Sequence, residues 1–214
     1  MSTTADAVLD PYPTETSRPL LALAPESQDL LFRDARSANA FGDEPVSDAQ
    51  VQAIYDLVKY GPTALNTQPL RVLLVRSPQA RVRLVQHLSE GNQTKTLTAP
   101  LVAVLGYDVD FHDQLPTVFP HFPGAREIFA EEASRHTTGR DNAFLQAGYF
   151  LLGVRAAGLA AGPMGGFDAA GVDAEFFPDG RTKSVLVVNI GRPAPDAWFD
   201  RLPRLGYDDV VRSV

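Results

Sequence analysis

The sequence predicts a single domain in which short β-strands alternate with α-helices around one core. The chain has 214 residues, 44% of them hydrophobic, which is enough for one sizeable core and too little for two. Apolar runs of strand length alternate with segments in which apolar residues recur at helical spacing. We therefore expect a domain over residues 26–214, preceded by a flexible arm over residues 1–25 that is rich in proline and lacks periodicity.

The first predicted helix follows the arm. Ser27 is a suitable N-cap, and Leu30 and Leu31 begin a helical spacing of apolar residues that reaches Asn39. A second predicted helix covers residues 47–59, with Ser47 as its N-cap. Gly61 and Pro62 end that helix, because proline cannot continue it.

Strands and helices alternate in the next part of the chain. Residues 71–76 are a short β-branched run and predict a strand, residues 79–88 predict a helix, and residues 101–107 predict another strand.

Residues 142–159 are apolar on nearly all sides, which indicates a buried central helix that Gly158 is placed to end. Residues 185–190 predict a fully buried strand. The remainder, residues 192–214, is a tail interrupted by prolines and predicted to be weakly structured.

Composition excludes several classes of function. The net charge of −7, with no long basic run, argues against a nucleic-acid partner. The absence of cysteine excludes disulfides, thiolate metal sites and cysteine nucleophiles, and it favours an intracellular location. No apolar stretch approaches the roughly 20 residues that span a bilayer, and no signal peptide is evident, so we expect a cytoplasmic protein without a membrane partner.

The motifs of hydrolases and metalloenzymes are also missing. The sequence has no Gly-x-Ser-x-Gly elbow, no phosphate-binding Gly-rich loop ending in Lys-Ser or Lys-Thr, and no dinucleotide fingerprint. We expect no metal site, because the four histidines are far apart in the sequence and are interpreted as surface or loop residues. These histidines are His87, His112, His121 and His136. A chain without nucleophiles but with dispersed Arg, Asn, Lys and Gly suits a bound cofactor that brings its own reactivity.

The segment 35–41, Ala-Arg-Ser-Ala-Asn-Ala-Phe, resembles the opening motif of the nitroreductase family. In that family, basic and hydroxyl residues at this position hold the phosphate and ribityl chain of FMN. The resemblance implies these roles for Arg36, Ser37 and Asn39. Ala35 stands where the family usually has another arginine, so one phosphate contact is absent or supplied elsewhere.

The loop 61–69, Gly-Pro-Thr-Ala-Leu-Asn-Thr-Gln-Pro, is similar to the family's Pro-Ser-x-x-Asn-x-Gln-Pro loop, which meets the flavin across the dimer interface. The resemblance makes Thr63, Asn66 and Gln68 cofactor-binding candidates. A structural turn fixed by Pro69 is compatible with the same sequence.

The segment 91–95, Gly-Asn-Gln-Thr-Lys, resembles the place where the family sets an asparagine and a lysine against the isoalloxazine ring. Asn92 and Lys95 match these positions. A fixed cation near the pyrimidine edge stabilises the negative charge that two-electron reduction leaves there. Alternatively, Lys95 is an ordinary exposed lysine that contacts no cofactor.

The segment 161–168 resembles the family loop whose backbone N–H groups face the flavin N5 edge. It makes Pro163, Met164, Gly165 and Gly166 candidates. The two glycines could instead end one element before a helix that Asp168 caps.

The segment 199–205 resembles the family's C-terminal basic pair around Leu-Pro, which binds the FMN phosphate. Arg201 and Arg204 are the candidates, and the forked donors of two arginines suit one dianionic phosphate.

As a whole, the resemblance implies an α+β, nitroreductase-like FMN-binding fold, with a central mixed sheet flanked by helices, in an intertwined homodimer. It implies ping-pong hydride transfer from NADH or NADPH through FMN to a small electrophile: a semialdehyde, nitroaromatic, quinone or enone. Within the family, segments 57–63, 162–168 and 201–205 look closest to the malonic semialdehyde reductase branch. Other flavin chemistry on the same scaffold, and a non-enzymatic flavin-binding protein, are the alternatives, and no residue is assigned as the general acid.

Overall fold

The computed structural model describes residues 20–214, and most of the arm predicted over residues 1–25 lies outside this range. The centre of the described chain is a four-stranded sheet in the order β1-β2-β4-β3. Its strands are β1 (Leu70–Val75), β2 (Leu101–Asp108), β3 (Ala160–Met164) and β4 (Thr182–Gly191). The predicted strands over 71–76, 101–107 and 185–190 correspond to β1, β2 and β4.

All three strand pairings are antiparallel. The α+β class is confirmed, but the mixed sheet implied by the resemblance is not what residues 20–214 form on their own.

Nine α-helices surround the sheet in the described residues, several of them a single turn long. They are α1 (Pro25–Gln28), α2 (Asp48–Val58), α3 (Pro78–Val85), α4 (Glu90–Thr98), α5 (Leu115–Val118), α6 (Ala125–Ile128), α7 (Glu132–Ala156), α8 (Ala169–Phe176) and α9 (Tyr207–Val210). A π-helical turn continues α1 over Asp29–Arg33, and 3₁₀ turns form over Ala64–Asn66 and Phe111–Gln114.

The core has one layer on each face of the sheet. Successive side chains of a strand point to opposite faces, and every residue of β2 is buried. Ala103 and Leu105 pack in the layer formed with α2 and α7, whereas Val102 and Val104 pack in the layer formed with α3 and α8. The unbroken apolar run over residues 101–105 of β2 is the result of this burial on both faces.

The helix predicted over residues 47–59 is confirmed. Ser47 and Gln50 form a reciprocal capping box, in which the Ser47 Oγ accepts from the Gln50 backbone N–H at 3.2 Å. The helix ends before Gly61 and Pro62, as predicted.

The central helix α7 starts ten residues earlier than predicted. Its start is set by the Glu131 carboxylate, which accepts hydrogen bonds from the backbone N–H groups of Ala133 and Ser134. Its first ten residues are almost all polar, so apolar periodicity does not reveal them. The helix ends at Ala156, and Gly158 follows in the left-handed conformation with φ of 71°.

The first predicted helix is too long and has the wrong cap. Ala24 is the N-cap, and helical structure stops at Arg33. Beyond it the chain is extended against the sheet, because the Ala38 N–H donates to the Ala161 carbonyl at 3.0 Å and the Asn39 N–H to the Ala197 carbonyl at 2.9 Å. These tertiary hydrogen bonds replace the ones that a helix would have made.

Strand β3 and helix α4 were not predicted. Strand β3 contains a glycine and a proline, which argue against a central strand, but β3 is an edge strand, where both are tolerated. Gly162 is required there, since a Cβ at this position would lie 2.5 Å from the Ala38 carbonyl oxygen. Helix α4 was missed because its sequence, EGNQTKTLT, has little apolar periodicity.

The interpretation of all four histidines as surface or loop residues is wrong for His112, which is only 8% exposed. Residues 20–214 contain no cluster of three His, Asp or Glu side chains placed to hold a metal. No helix in that range is long and apolar enough to cross a membrane.

Candidate functional site

Lys95 and Asn39 meet at the start of the candidate site. Helix α4 presents Lys95 toward the extended segment before α2, and its Nζ donates to the Asn39 Oδ1 at 3.2 Å. Partial burial lowers the pKa of Lys95 from its ordinary value, because a desolvated ammonium loses hydration. An anionic group bound beside Lys95 would offset that cost.

Asn92 joins the same helix to the loop after β3. The Asn92 Nδ2 donates to the Gly166 carbonyl at 3.2 Å, and the Ser89 backbone N–H donates to the same oxygen at 3.0 Å. A Cβ on Gly166 would lie 2.9 Å from the Ser89 Oγ, so the loop approaches α4 closely only because residue 166 is glycine. Gly165 has no heavy atom within 4 Å of its Cβ position, which leaves open space beside this backbone.

A buried polar cluster lies beneath Lys95. The Asn189 Nδ2, on the central strand β4, donates to the Thr96 Oγ1 at 3.1 Å, and both residues are 0% exposed. The same amide lies 3.9 Å from the Met164 sulfur. Met164 therefore points into the protein, so only its backbone remains available to the predicted ligand. Its neighbour Pro163 is half-buried.

Arg36 lies at the opposite end of the extended segment, against the C-terminal tail. Its Nη1 donates to the Phe199 carbonyl at 2.9 Å, and its guanidinium lies 5.5 Å from the Trp198 ring centroid. The Arg36 Nε is buried and has no hydrogen-bond partner. A buried N–H of a guanidinium is costly to leave unpaired, so Arg36 has a donor free for an anion. Ser37 is exposed beside it.

The two C-terminal arginines, Arg201 and Arg204, have different hydrogen-bond partners. Arg201 reaches back to the first segment, where its Nη2 donates to the carbonyls of Arg33 and Ala35. Arg204 donates only to the carbonyls of Leu202 and Pro203 next to it. The structure therefore brings Arg201, but not Arg204, to the segment that carries Arg36.

The loop before β1 stands apart from these residues. The Asn66 Nδ2 donates to the Val118 carbonyl at 2.7 Å, and the Gln68 backbone N–H donates to the Thr63 Oγ1 at 3.2 Å. Leu65, Asn66 and Gln68 all have positive φ, a rare conformation outside glycine. Within residues 20–214, no hydrogen bond or ion pair joins this loop to Lys95, Asn92 or Arg36. One chain alone does not assemble all the predicted site residues.

Charge pairing separates the candidate cations from most others. Eleven Lys and Arg side chains lie within 4 Å of a carboxylate. They are Arg33, Lys59, Arg71, Arg76, Arg83, Arg126, Arg135, Arg140, Arg181, Lys183 and Arg192. In the described chain Arg36, Lys95, Arg201 and Arg204 have no such partner.

These unpaired cations, the free Arg36 donor and the close-approach glycine at 166 fit a phosphorylated, electron-accepting ring such as FMN. Ser89, Trp198 and Asn189 belong to the same arrangement but were not found from the sequence. Their positions depend on contacts between distant segments, and no local pattern marks them.

Related sequences cover most of this chain. The sequence profile described as the nitroreductase family matches residues 33–192. A Streptomyces coelicolor protein named as an NADH dehydrogenase/NAD(P)H nitroreductase is 63% identical, covering 91% of this chain and 99% of its own. A Streptomyces griseus protein with the same name is 60% identical over the same shares.

A solved structure shares the fold at lower identity. The protein, from Exiguobacterium sibiricum and described as a nitroreductase in complex with FMN, superimposes with a TM-score of 0.78 and 20% identity, covering 89% of this chain and 98% of its own. The sequence profile and the two close relatives establish that the chain belongs to the nitroreductase family of oxidoreductases.

Proposed function

We propose that this chain is an FMN-dependent oxidoreductase that takes two electrons from NADH or NADPH and delivers them to a small electrophile. The observation that carries the proposal is the set of cations without carboxylate partners, Arg36, Lys95 and Arg201, gathered around segment 33–39. A single domain over residues 26–214 carries the activity, and we place it in the cytoplasm, where reduced nicotinamide is supplied.

The residues divide into two groups by the part of FMN that they hold. Arg36, Ser37, Arg201 and Arg204 bind the phosphate, which is a dianion suited to forked guanidinium donors. Asn39 hydrogen-bonds the ribityl chain from a backbone fixed by its hydrogen bond to Ala197.

Asn92 and Lys95 of α4 would hold the polar edge of the ring. Gly165 and Gly166 would offer their backbone N–H groups to the N5 edge, and the bound flavin would supply hydride transfer. Lys95 would hold a positive charge where negative charge develops on reduction. NADH or NADPH would leave before the acceptor binds at the same face.

The site is completed by a second copy of the chain. Large apolar side chains are exposed on α2 and α7, including Leu57, Phe144 and Leu145, and an apolar surface of this kind favours a protein partner. The loop with Thr63, Asn66 and Gln68 borders this surface, so we assign its contacts to the flavin held mainly by the partner subunit.

The C-terminal tail is the second contribution to the dimer. Tyr207 and Val210 are exposed on their own subunit. A groove of about 590 Å³ runs along β1 and is lined by apolar residues such as Val51, Val72 and Phe150. The tail of one subunit fits this groove on the other as an added strand, giving the intertwined homodimer and the mixed sheet.

The acceptor is a small electrophile, and the resemblance of segments 57–63, 162–168 and 201–205 to the malonic semialdehyde reductase branch favours a semialdehyde. A nitroaromatic, quinone or enone fits the same donor chemistry. The relatives named as NAD(P)H nitroreductases support a nitroaromatic as a working probe.

The experiment that tests the proposal is the visible spectrum of the purified protein. We expect a yellow protein, or a colourless one that takes up FMN, and we expect anaerobic NADH or NADPH to bleach it. A protein that binds no flavin would contradict the whole assignment. A yellow protein that neither nicotinamide bleaches would instead support a non-enzymatic flavin-binding role.

A further inference from the structure

The loop that joins α2 to β1 has a strained backbone. Leu65, Asn66 and Gln68 have φ angles of 48°, 53° and 43°, in the left-handed region that residues other than glycine rarely adopt. Such conformations persist only where contacts with the surrounding structure offset their cost. The contacts that hold this loop therefore decide where the candidate side chains of Asn66 and Gln68 lie.

Asn142 of α7 holds the first half of the loop. Its Oδ1 accepts from the Ala64 backbone N–H at 2.8 Å, and its Nδ2 donates to the Thr138 carbonyl, one turn earlier on α7, at 2.9 Å. Only one orientation of the amide satisfies both partners, because an N–H requires an acceptor and a carbonyl requires a donor. Within residues 20–214, this is the only hydrogen bond from residues 61–65 to a part of the chain outside α2 and the loop itself.

The second half of the loop has more than one support. The Asp108 backbone N–H donates to the Pro69 carbonyl at 2.9 Å, and the Leu70 backbone N–H donates to the Gln146 Oε1 at 3.0 Å. Loss of either bond leaves the other in place. The first half, by contrast, depends on Asn142.

The amide of Asn142 is better explained by the loop than by the helix. Asn142 is 7% exposed, and asparagine is a weak helix former. A buried amide is also costly unless its polar atoms are hydrogen-bonded. An apolar side chain would therefore suit α7 better at this position, and the bond to Ala64 accounts for the asparagine.

Helix α7 also presents part of the surface that we assign to the partner subunit. Phe144 and Leu145 are exposed on it, close in sequence to Asn142. Asn142 therefore ties the loop to the same rigid helix that would pack against the second copy. A loop tied in this way keeps a fixed position relative to the partner subunit.

We propose that Asn142 is a positioning residue, which holds loop 63–68 in the conformation that the flavin site of the partner subunit requires. The inference rests on the proposed function, in which this loop acts across the dimer. Without the Asn142 acceptor, the loop occupies the required conformation for a smaller fraction of the time. The FMN affinity of the partner's site then falls in proportion to that fraction.

The first test compares two substitutions of Asn142. Asn142→Leu keeps a similar size and removes the acceptor, whereas Asn142→Asp retains an acceptor for Ala64 and buries a charge. We expect FMN affinity, measured by flavin fluorescence, to fall by about tenfold in Asn142→Leu, the effect of one lost hydrogen bond, and by less in Asn142→Asp. Chemical denaturation of the flavin-free proteins should give the opposite order, with Asn142→Asp the less stable variant.

Thr137→Val is the control for this comparison. The Thr137 Oγ1 donates to the Ala133 carbonyl of the same helix at 3.0 Å and makes no hydrogen bond to the loop, so FMN affinity should be unchanged. If FMN affinity follows stability across the Asn142 variants, or falls as far in Thr137→Val, the role of Asn142 is merely structural and the proposal is overturned.

The second test identifies the subunit whose site is affected. Asn142→Leu and Arg36→Ala subunits are unfolded and refolded as an equal mixture, and tight FMN sites are counted by titration. About a quarter of the wild-type sites should return, because each mixed dimer contains one site with an intact phosphate half and an intact loop. A mixture of Asn142→Leu with Asn66→Ala should recover none, because both substitutions impair the loop.

Each variant refolded alone gives the baseline. No recovery with Arg36→Ala, or recovery with Asn66→Ala, would overturn the proposal. Wild-type protein that takes up no FMN would refute the proposed function and this inference with it. Tight FMN binding by the wild type that is unchanged in Asn142→Leu would refute the role of Asn142 alone.

Discussion

At one edge of the sheet, residues 36–41 of the same chain lie against β3. At the other edge, the outer side of β1 has no neighbouring strand in residues 20–214. The segment at the covered edge places Asn39 against Lys95 of α4 and Arg36 against the C-terminal tail, so the chain itself assembles part of the candidate site. The open edge follows the loop of Asn66, whose side chain turns away to Val118. In the proposed function, the covered edge belongs to the subunit that builds the phosphate and polar-edge half of the site, and the second subunit provides the rest.

The largest effect is expected from disturbing the covered edge. Gly162→Ala places a Cβ 2.5 Å from the Ala38 carbonyl oxygen, so segment 36–41 must move. We expect a loss of about 1–3 kcal/mol in the free energy of unfolding of the flavin-free protein, with weaker FMN binding.

Chemical denaturation and a flavin titration measure these two effects. Gly42→Ala is the control, because the nearest atom to its Cβ position is 4.0 Å away. Normal FMN affinity in Gly162→Ala would show that segment 36–41 does not form the site.

The second-largest effect is expected from removing the positive charge of Lys95 while leaving the fold intact. Lys95→Ala removes the cation without disturbing buried packing, so we expect flavin reduction to slow on the order of tenfold while the fold is retained. Stopped-flow absorbance and circular dichroism check this, with Arg83→Ala, a cation paired with Glu175 on another helix, as control. An unchanged reduction rate would refute the electrostatic role of Lys95.

A smaller effect tests whether Asn66, in the loop at the open edge, contributes to the flavin site of the partner subunit. Asn66→Ala and Lys95→Ala subunits, unfolded and refolded as an equal mixture, should recover about a quarter of the wild-type sites, because each mixed dimer contains one intact site. Each variant refolded alone provides the baseline. Failure of the mixture to exceed that baseline would place Asn66 and Lys95 in the same subunit's site, or nowhere near the flavin.

The smallest effect is a pH dependence of flavin binding. Burial lowers the pKa of Lys95, and a bound anion favours its charged form. FMN affinity should therefore be greatest below the pKa of flavin-free Lys95 and decline as pH rises through it. A Lys95→Met titration isolates this contribution, and an identical decline in the variant would show that another group titrates.

Local signals in the sequence were sufficient to predict α2 and the strands β1, β2 and β4. The signals are a capping residue and a proline that ends the helix for α2, and β-branched or apolar runs for the strands. Helix α7 was only half predicted, because its polar first turns depend on the Glu131 cap and on packing that periodicity does not record.

The wrong or missing predictions have a common physical cause, which is that contacts between distant segments decide the structure there. Ala35 and Ala38 have helical spacing, but the Ala38 N–H bonds to Ala161 across the fold. Edge strand β3 carries the very glycine and proline that normally mark a loop. The candidate site followed from resemblance to the family, whereas the Trp198 and Asn189 contacts depend on residues more than 90 positions apart and could not be predicted from local pattern.

The uncovered row of N–H and C=O groups on β1 has a practical consequence. A free strand edge beside an apolar groove can template the addition of any other extended chain, which is how aggregation starts. We expect removal of residues 199–214 to yield insoluble protein rather than a well-behaved monomer, so subunit exchange requires denaturation and not simple dilution.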